Sequence, residues 1–327
     1  MSTVQRPGGR LQRGRLTPLV FLARYGLYVA LLIQVAAFAA QSPNFLTAAN
    51  LLNILQQTST IGIMAIGQTL VILAGGIDVS VGSTLGLGGM IAAMAIRSGA
   101  SPAIALIAGT AAGFAVGVVN GAVIFGLGVD AFITTLATLN IGRGLVYVLS
   151  NQYNVNVPDG SPFFALGRGH IGPLPVSVVI FLLLFALAHV VERHTAFGRS
   201  VHAVGGNRAA ALLSGLRIGR IRLAAYGISG ACAALSGVII VSQVGLAVPY
   251  LGSGYELDTI AAAVVGGVAL TGGVGSVLVG AVGSIFIGVF LNGMALIDVP
   301  SIWQMVAQGV VIISAVGLYG AARARMQ

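Results

Sequence analysis

Among the seven carboxylates of this 327-residue chain, Asp78 has the most costly surroundings: it sits in Gly75-Gly76-Ile77-Asp78-Val79-Ser80-Val81-Gly82, between two charge-free apolar stretches. A carboxylate near hydrocarbon needs a helix N-terminus, a hydrogen-bonding partner or water, so Asp78 is a functional-site candidate. It also suits a simpler task, because Asp78 or Ser80 can accept bonds from the free amides that begin the next helix. The two roles are compatible. Catalysis is harder to assemble. The four histidines, at 170, 189, 194 and 202, have no metal-ligand grouping, and no Ser/His/Asp or Cys/His nucleophile arrangement is present. The single Cys232 lies inside an apolar run and reads as a small buried thiol. The expectation is no enzyme activity, no metal and no cofactor.

Uncharged hydrogen-bonding residues are placed differently. Asn120, Thr134, Thr135, Thr138, Asn140 and Asn292 lie in or beside apolar stretches. Together with Gly75, Gly76, Asp78, Ser80, Glu256 and Asp258 they are the candidates for a polar pathway or for breaks in helices. Ordinary bonds between helices would use the same residue types. Arg143, inside an apolar stretch, is expected to snorkel or to pair within the bundle.

The elements that must position these residues follow from composition. Hydrophobic residues make up 57% and charged residues 7% of the chain, and the mean hydropathy is +1.00, a balance that fits a bilayer as solvent. Apolar runs with at most one charge predict about ten membrane-spanning helices, over 19–40, 59–74, 83–96, 102–125, 131–149, 173–191, 223–242, 257–271, 274–297 and 302–320. The second, third and eighth are short for a crossing of roughly 20 residues, which suggests interrupted helices. Such breaks survive at membrane depth where protein or a water-filled cavity satisfies the freed backbone.

All 16 basic residues are arginine, so the lysine-containing phosphate loop is absent and any ATP must be hydrolysed by a partner. The arginines cluster in the tail (Arg6, Arg10, Arg13, Arg15), in the stretch from Glu192 to Arg222, and at Arg323 and Arg325. Positive loops stay in the cytoplasm, and even numbers of spans between the clusters put all three on that side. The domain reading is a basic cytoplasmic tail over 1–18, one membrane domain over 19–320 with a cytoplasmic loop at 192–222, and a tail over 321–327. The net charge of +9 sets orientation and implies no nucleic acid. The start imitates a secretory signal, with Ala37 and Ala39 spaced like a cleavage site, but its apolar run is longer than a signal core of about 7–15 residues.

Glycine is placed with helical regularity. Gly109, Gly113, Gly117 and Gly121 recur every fourth residue, as do Ser276, Gly280, Ser284 and Gly288, forming flat stripes for close backbone packing. A shift of 178 residues aligns Gly67 with Gly245, Gly76 with Gly254, Asp78 with Glu256, Ser80 with Asp258, and Gly88-Gly89 with Gly266-Gly267. The shift crosses an odd number of spans, so it predicts an inverted internal repeat.

Three ordered motifs carry a family resemblance across about 50–318. The Asp78 segment, preceded by Gly67-Gln68-Thr69-Leu70-Val71, resembles the signature of the membrane permeases of bacterial ribose-type sugar ABC importers. Gly198-Arg199, Gly205-Gly206-Asn207, Ala209-Ala210 and Ser214-Gly215 resemble that family's cytoplasmic loop, and Tyr255 to Ala262 with Gly266-Gly267 and Thr271-Gly272-Gly273 resembles its late segment. The resemblance implies an all-α, type II importer-like fold in the bacterial inner membrane with both termini inside. It implies a second permease copy or sister subunit, ABC ATPase subunits, and a periplasmic sugar-binding protein bringing a monosaccharide or small polyol. The cytoplasmic loop then becomes the place where an external motor pushes. Its coupling candidates are Gly205, Gly206, Asn207, Arg208, Ala210, Ser214 and Gly215, with a short helix over Asn207 to Leu213 between glycine ends. Two other classes remain: a proton-coupled secondary transporter using Asp78, Glu256, Asp258 or Asp298, and an intramembrane enzyme, for which no convergent site is visible.

Overall fold

The computed structural model describes residues 18–324. Arg6, Arg10, Arg13, Arg15 and Arg325 lie outside the described residues, as does the side chain of Arg323. The described chain is almost wholly helical: α1 Pro18–Gln41, α2 Ala48–Leu73, α3 Val81–Arg97, α4 Pro102–Gly126, α5 Ala131–Leu149, α6 Phe164–Arg168, α7 Val176–His194, α8 Ala196–Gly206, α9 Arg208–Leu213, α10 Ile218–Val244, α11 Tyr255–Gly266, α12 Val277–Leu296 and α13 Ser301–Ala324. Side-chain caps start many of them. Thr47, Ser101, Asp130, Thr195, Asn207 and Ser276 each accept a backbone amide of the following helix. Four two-residue strands complete the chain as two antiparallel pairs, Val155–Asn156 (β1) with Leu246–Ala247 (β4), and His170–Ile171 (β2) with Leu174–Pro175 (β3).

Among the described residues, α4, α5, α7, α10 and α12 are long and apolar enough to cross a membrane. Their outward faces agree with that solvent: Ile107 and Phe125 on α4, Ile133 and Ile141 on α5, and Leu183 and Leu187 on α7 are exposed. The shortness expected of the second span is corrected. α2 has 26 residues, because Asn50 to Thr58, which interrupt the apolar run, continue the helix from the Thr47 cap. Short helices do stand at α3, with 17 residues, and α11, with 12.

Helices α2 and α10 cross at the centre, where Gly67 brings its Cα against that of Ser229 and Ser236 Oγ donates to the Thr60 carbonyl at 3.0 Å. α10 packs on α4 and α3, and α2 packs on α12 and α11. Both small-residue stripes serve these contacts. Side chains at Gly109, Gly113, Gly117 and Gly121 would collide with α10 from Val238 down to Leu223, and at Gly280 and Gly288 with Thr69 and Thr58 of α2. In lipid such contact replaces hydrophobic drive as the source of helix association.

Candidate functional site

The chain leaves helical geometry between Leu73 and Val81, and Gly75 makes the turn with φ +76, a conformation that side chains disfavour. Four carbonyls at this break find donors from other elements. Arg222 of α10 donates Nε to Ala74 O at 3.1 Å and Nη2 to Gly75 O at 3.4 Å. Tyr226 Oη and Thr135 Oγ1 donate to Ile77 O at 3.2 and 3.3 Å. Gln68, with its amide nitrogen toward the Asp78 carbonyl, exchanges bonds of 3.1 and 3.3 Å with the Asp78 backbone; the opposite orientation would set acceptor against acceptor.

Asp78 itself is 1% exposed and has both carboxylate oxygens partnered. Oδ1 accepts the Ser80 amide at 3.0 Å and the Ser80 hydroxyl at 2.6 Å, and Oδ2 accepts the Ser229 hydroxyl at 2.9 Å. The expected cap is therefore shifted: Asp78 takes the amide of the residue before α3, and Ser80 caps α3 without a side-chain bond. The network continues outward, with Asn120 Nδ2 donating to Ser80 Oγ at 2.9 Å and Thr138 Oγ1 donating to Asn120 Oδ1 at 2.6 Å. Asp78, Ser80, Asn120 and Thr138 thus form one chain of bonds tying the break to α4, α5 and α10. A buried carboxylate held this way rigidifies, whereas a half-satisfied one would be strongly destabilising.

The second break runs from Gly245 to Gly254, where α11 begins. Gly254 has φ +92, and its amide donates to Glu256 Oε1 at 3.3 Å. A side chain at Gly82, in the first turn of α3, would collide with Glu256 Oε2 and the Gly252 carbonyl. The N-termini of α3 and α11 therefore meet inside the bundle, with the Glu256 carboxylate at their junction, where helix dipoles favour negative charge. Arg143 crosses to this break and donates to Leu251 O at 2.6 Å and Pro249 O at 3.3 Å, so it pairs inside the bundle.

The side chains of the other expected residues do not bond to the Asp78 network. Thr134 bonds its own helix through Asp130 O at 2.9 Å, and Asn140 is exposed and bonds Leu136 O at 3.2 Å. Asn292 on α12 accepts from Asn50 on α2 at 3.0 Å, and Asp258 accepts from Gln308 on α13. Asp298 is exposed in the turn between α12 and α13, at φ +57. Gly205 and Gly206 stand just before the Asn207 N-cap of α9 and are themselves the last turn of the longer α8. Asn207 is the N-cap of α9, its Oδ1 accepting the Ala210 amide at 3.0 Å. Arg208 and Ala210 are exposed on the short α9, Ser214 is its exposed C-cap, and Gly215 follows at φ +78.

Sequence reasoning missed Ser229, Tyr226 and Arg222. Arg222 counted as a loop cation, yet it lies in the second turn of α10. Gln68 was part of the quoted motif without a role. Among the described residues no cluster of three or more histidine, cysteine, aspartate or glutamate side chains is placed to hold a metal.

A polytopic bundle with two interrupted helices defines a class of membrane transport component, and sequence comparison gives its family. Residues 50–316 match the family described as branched-chain amino acid transport system / permease component, and the chain belongs to it. It is 41% identical over 295 residues to the ribose import permease protein RbsC of Escherichia coli strain K12, covering 88% of this chain and 91% of that protein. It is 38% identical over 304 residues to the RbsC of Bacillus subtilis strain 168, with 90% and 92% covered. It is 35% identical over 303 residues to the D-allose transport system permease protein AlsC of Escherichia coli strain K12, with 91% and 92% covered. No solved structure matches the chain. The chain is a multi-pass permease component, and ATP hydrolysis belongs to a separate ATPase partner.

Proposed function

We propose that this chain is the permease subunit of an ATP-binding-cassette importer for a monosaccharide or related small polyol. The observation that carries the reading is its likeness, along about nine-tenths of both chains, to permeases named for ribose and D-allose import. In this reading a periplasmic sugar-binding protein delivers the solute, two ATPase subunits act from inside, and a second permease copy or a sister subunit completes the pathway. The domain is one unit over 19–320, with basic cytoplasmic tails over 1–18 and 321–327.

Ten spans and an inverted repeat belong to the same reading. In support, α10 lies on α4 and α3 as α2 lies on α12 and α11, and each half has a glycine-turned break before its short helix. The orientation is supported by how the connections gather. Gly205 abuts the Leu73 carbonyl and Gly273 at one end of the bundle, and β1 pairs with β4 at the other. Arginine in the 192–222 connection assigns the first end to the cytoplasm. The two breaks, with Gly75, Gly76, Asp78, Ser80 and Glu256, are then the parts that shape the path. Residues Gly205 to Gly215 receive the motor.

The test is reconstitution of the permease with its neighbouring ATPase and binding protein in liposomes, followed by uptake of labelled ribose and its epimers. ATP-dependent uptake is expected. Uptake that persists without ATP and collapses with the proton gradient would replace this reading with a secondary transporter.

A further inference from the structure

Glu192 ends the apolar helix α7, yet its side chain is 3% exposed and both oxygens are engaged. Oε2 accepts the Val277 amide in the first turn of α12 at 2.8 Å, and Oε1 lies 3.1 Å from His202 Nε2. The other ring nitrogen of His202 lies 3.1 Å from the Gly273 carbonyl. Gly273 in turn donates its amide to the Leu73 carbonyl, the last residue of α2, at 3.0 Å. One imidazole therefore joins α8 to the end of α7, the start of α12 and the end of α2.

We propose that Glu192 and His202 form a proton-dependent clasp that couples the cytoplasmic helix pair α8 and α9 to both halves of the bundle; this rests on the permease reading above. Both ring nitrogens face acceptors, a carboxylate and a carbonyl. Only the doubly protonated imidazolium donates to both, and a neutral ring leaves one of them without a donor. The route from clasp to break is short. Gly205 packs so tightly on the Leu73 carbonyl and Gly273 that a Cβ has no room, and Arg222 bridges the next two carbonyls at Ala74 and Gly75. A displacement of α8 is thus delivered to the segment that carries Asp78. Glu192 and His202 act through these contacts and are positioning residues.

The charged surroundings of the ring set the direction of its response. Glu192 faces it from α7, while Arg193 of α7 and Arg199 of α8 share the adjoining cleft with Gly275 and Ser276. Arg208 of α9, Arg220 and Arg222 of α10 and Arg217 at its N-cap are the remaining arginines of these elements, His189 and His194 are the histidines of α7, and the end of α2 and residues 272–276 contribute no titratable group. The hydrogen bond to Glu192 raises the His202 pKa above its ordinary value, the Gly273 carbonyl and the Glu192 charge add to that, and burial opposes it. A raised value means that the clasp is complete below the ordinary histidine range and opens as pH rises through the folded-state value.

The test uses the assembled importer in liposomes and reads solute imported per ATP hydrolysed from about pH 6 to pH 9, which brackets histidine titration. The parent ratio should fall several-fold across that range. Glu192→Gln turns an amide N–H toward Nε2 and keeps an oxygen for Val277, so a neutral His202 closes the clasp and the ratio should stay high at alkaline pH. His202→Gln cannot reproduce the ring's span, and its ratio should be low and flat. Opposite responses from two neutral variants are not what a purely structural pair would give. A parent ratio independent of pH, or both variants following the parent profile, would overturn the clasp. Should His202→Gln fail to assemble, the Glu192→Gln profile alone decides. A parent complex that imports no solute at all would overturn the permease reading, and with it the coupling role, which separates the two failures.

Discussion

Tyr226 occupies the space that Gly76 leaves open: its hydroxyl donates to the Ile77 carbonyl at 3.2 Å and stands where a Cβ on residue 76 would lie. Gly76→Ala should therefore destabilise the fold by overpacking, by about 1–3 kcal/mol. Tyr226→Phe in the same chain should recover part of that loss, because removing the hydroxyl removes the nearest clash while Thr135 still donates to Ile77 O. Thermal unfolding of the purified single and double variants checks the order. Equal melting of Gly76→Ala with and without Tyr226→Phe would refute the steric account.

Asp78 offers a graded test. Asp78→Asn keeps an acceptor and the size, whereas Asp78→Leu strands the Ser80 and Ser229 donors that the carboxylate now holds. Each stranded buried group costs about 1–3 kcal/mol. Leucine should lower the yield of assembled protein well below that of asparagine. If both variants assembled and transported like the parent, neither a structural nor a transport role for Asp78 would stand.

Arg208 and Asp159 are both exposed and lie on connections at opposite ends of the bundle. Cysteine at Asp159 should react in sealed cells with an impermeant thiol reagent added outside, and cysteine at Arg208 should resist until the membrane is opened. Prompt external labelling at Arg208 would sink the orientation with both tails inside.

Ala210 tests the motor contact. It is exposed on α9, and its amide is held by Asn207 at 3.0 Å. A bulky charge there should leave stability nearly unchanged, since no buried packing is lost. In Ala210→Glu and Arg208→Glu, ATPase stimulation by the loaded binding protein and solute uptake should both fall several-fold, with insertion intact. Normal stimulation and normal uptake would show that the ATPase docks elsewhere.

The sequence made the helical elements legible wherever charge-free length was the signal, as in α4 and α12. It misplaced the start of α2 because Asn50, Gln56 and Thr58 look like a loop. In the bundle Asn50 turns to Asn292, and Gln56 donates to Gly167 O at 2.8 Å. These two polar side chains are satisfied by partners far away in the chain, and no local pattern announces them. The same holds at the breaks. Asp78 was recognisable from its surroundings, but Ser229 lies 151 residues further on, and only the crossing of α2 and α10 brings it to the carboxylate. Gly205 and Gly206 read as glycine ends that seat a short helix, and what that reading left out is the bare backbone of Gly205, which packs on Leu73 O and Gly273.

Gly82 lies beneath the Gly252 carbonyl and the Glu256 carboxylate without space for a single methyl group. The first turn of α3 cannot advance toward α11 unless the second break withdraws with it. Closely packed interfaces of this kind switch between discrete arrangements and do not deform continuously. Overlap forbids approach of either break toward the other, so a shift of the α3 turn in that direction is handed on to the second break, as one meshed tooth drives the next.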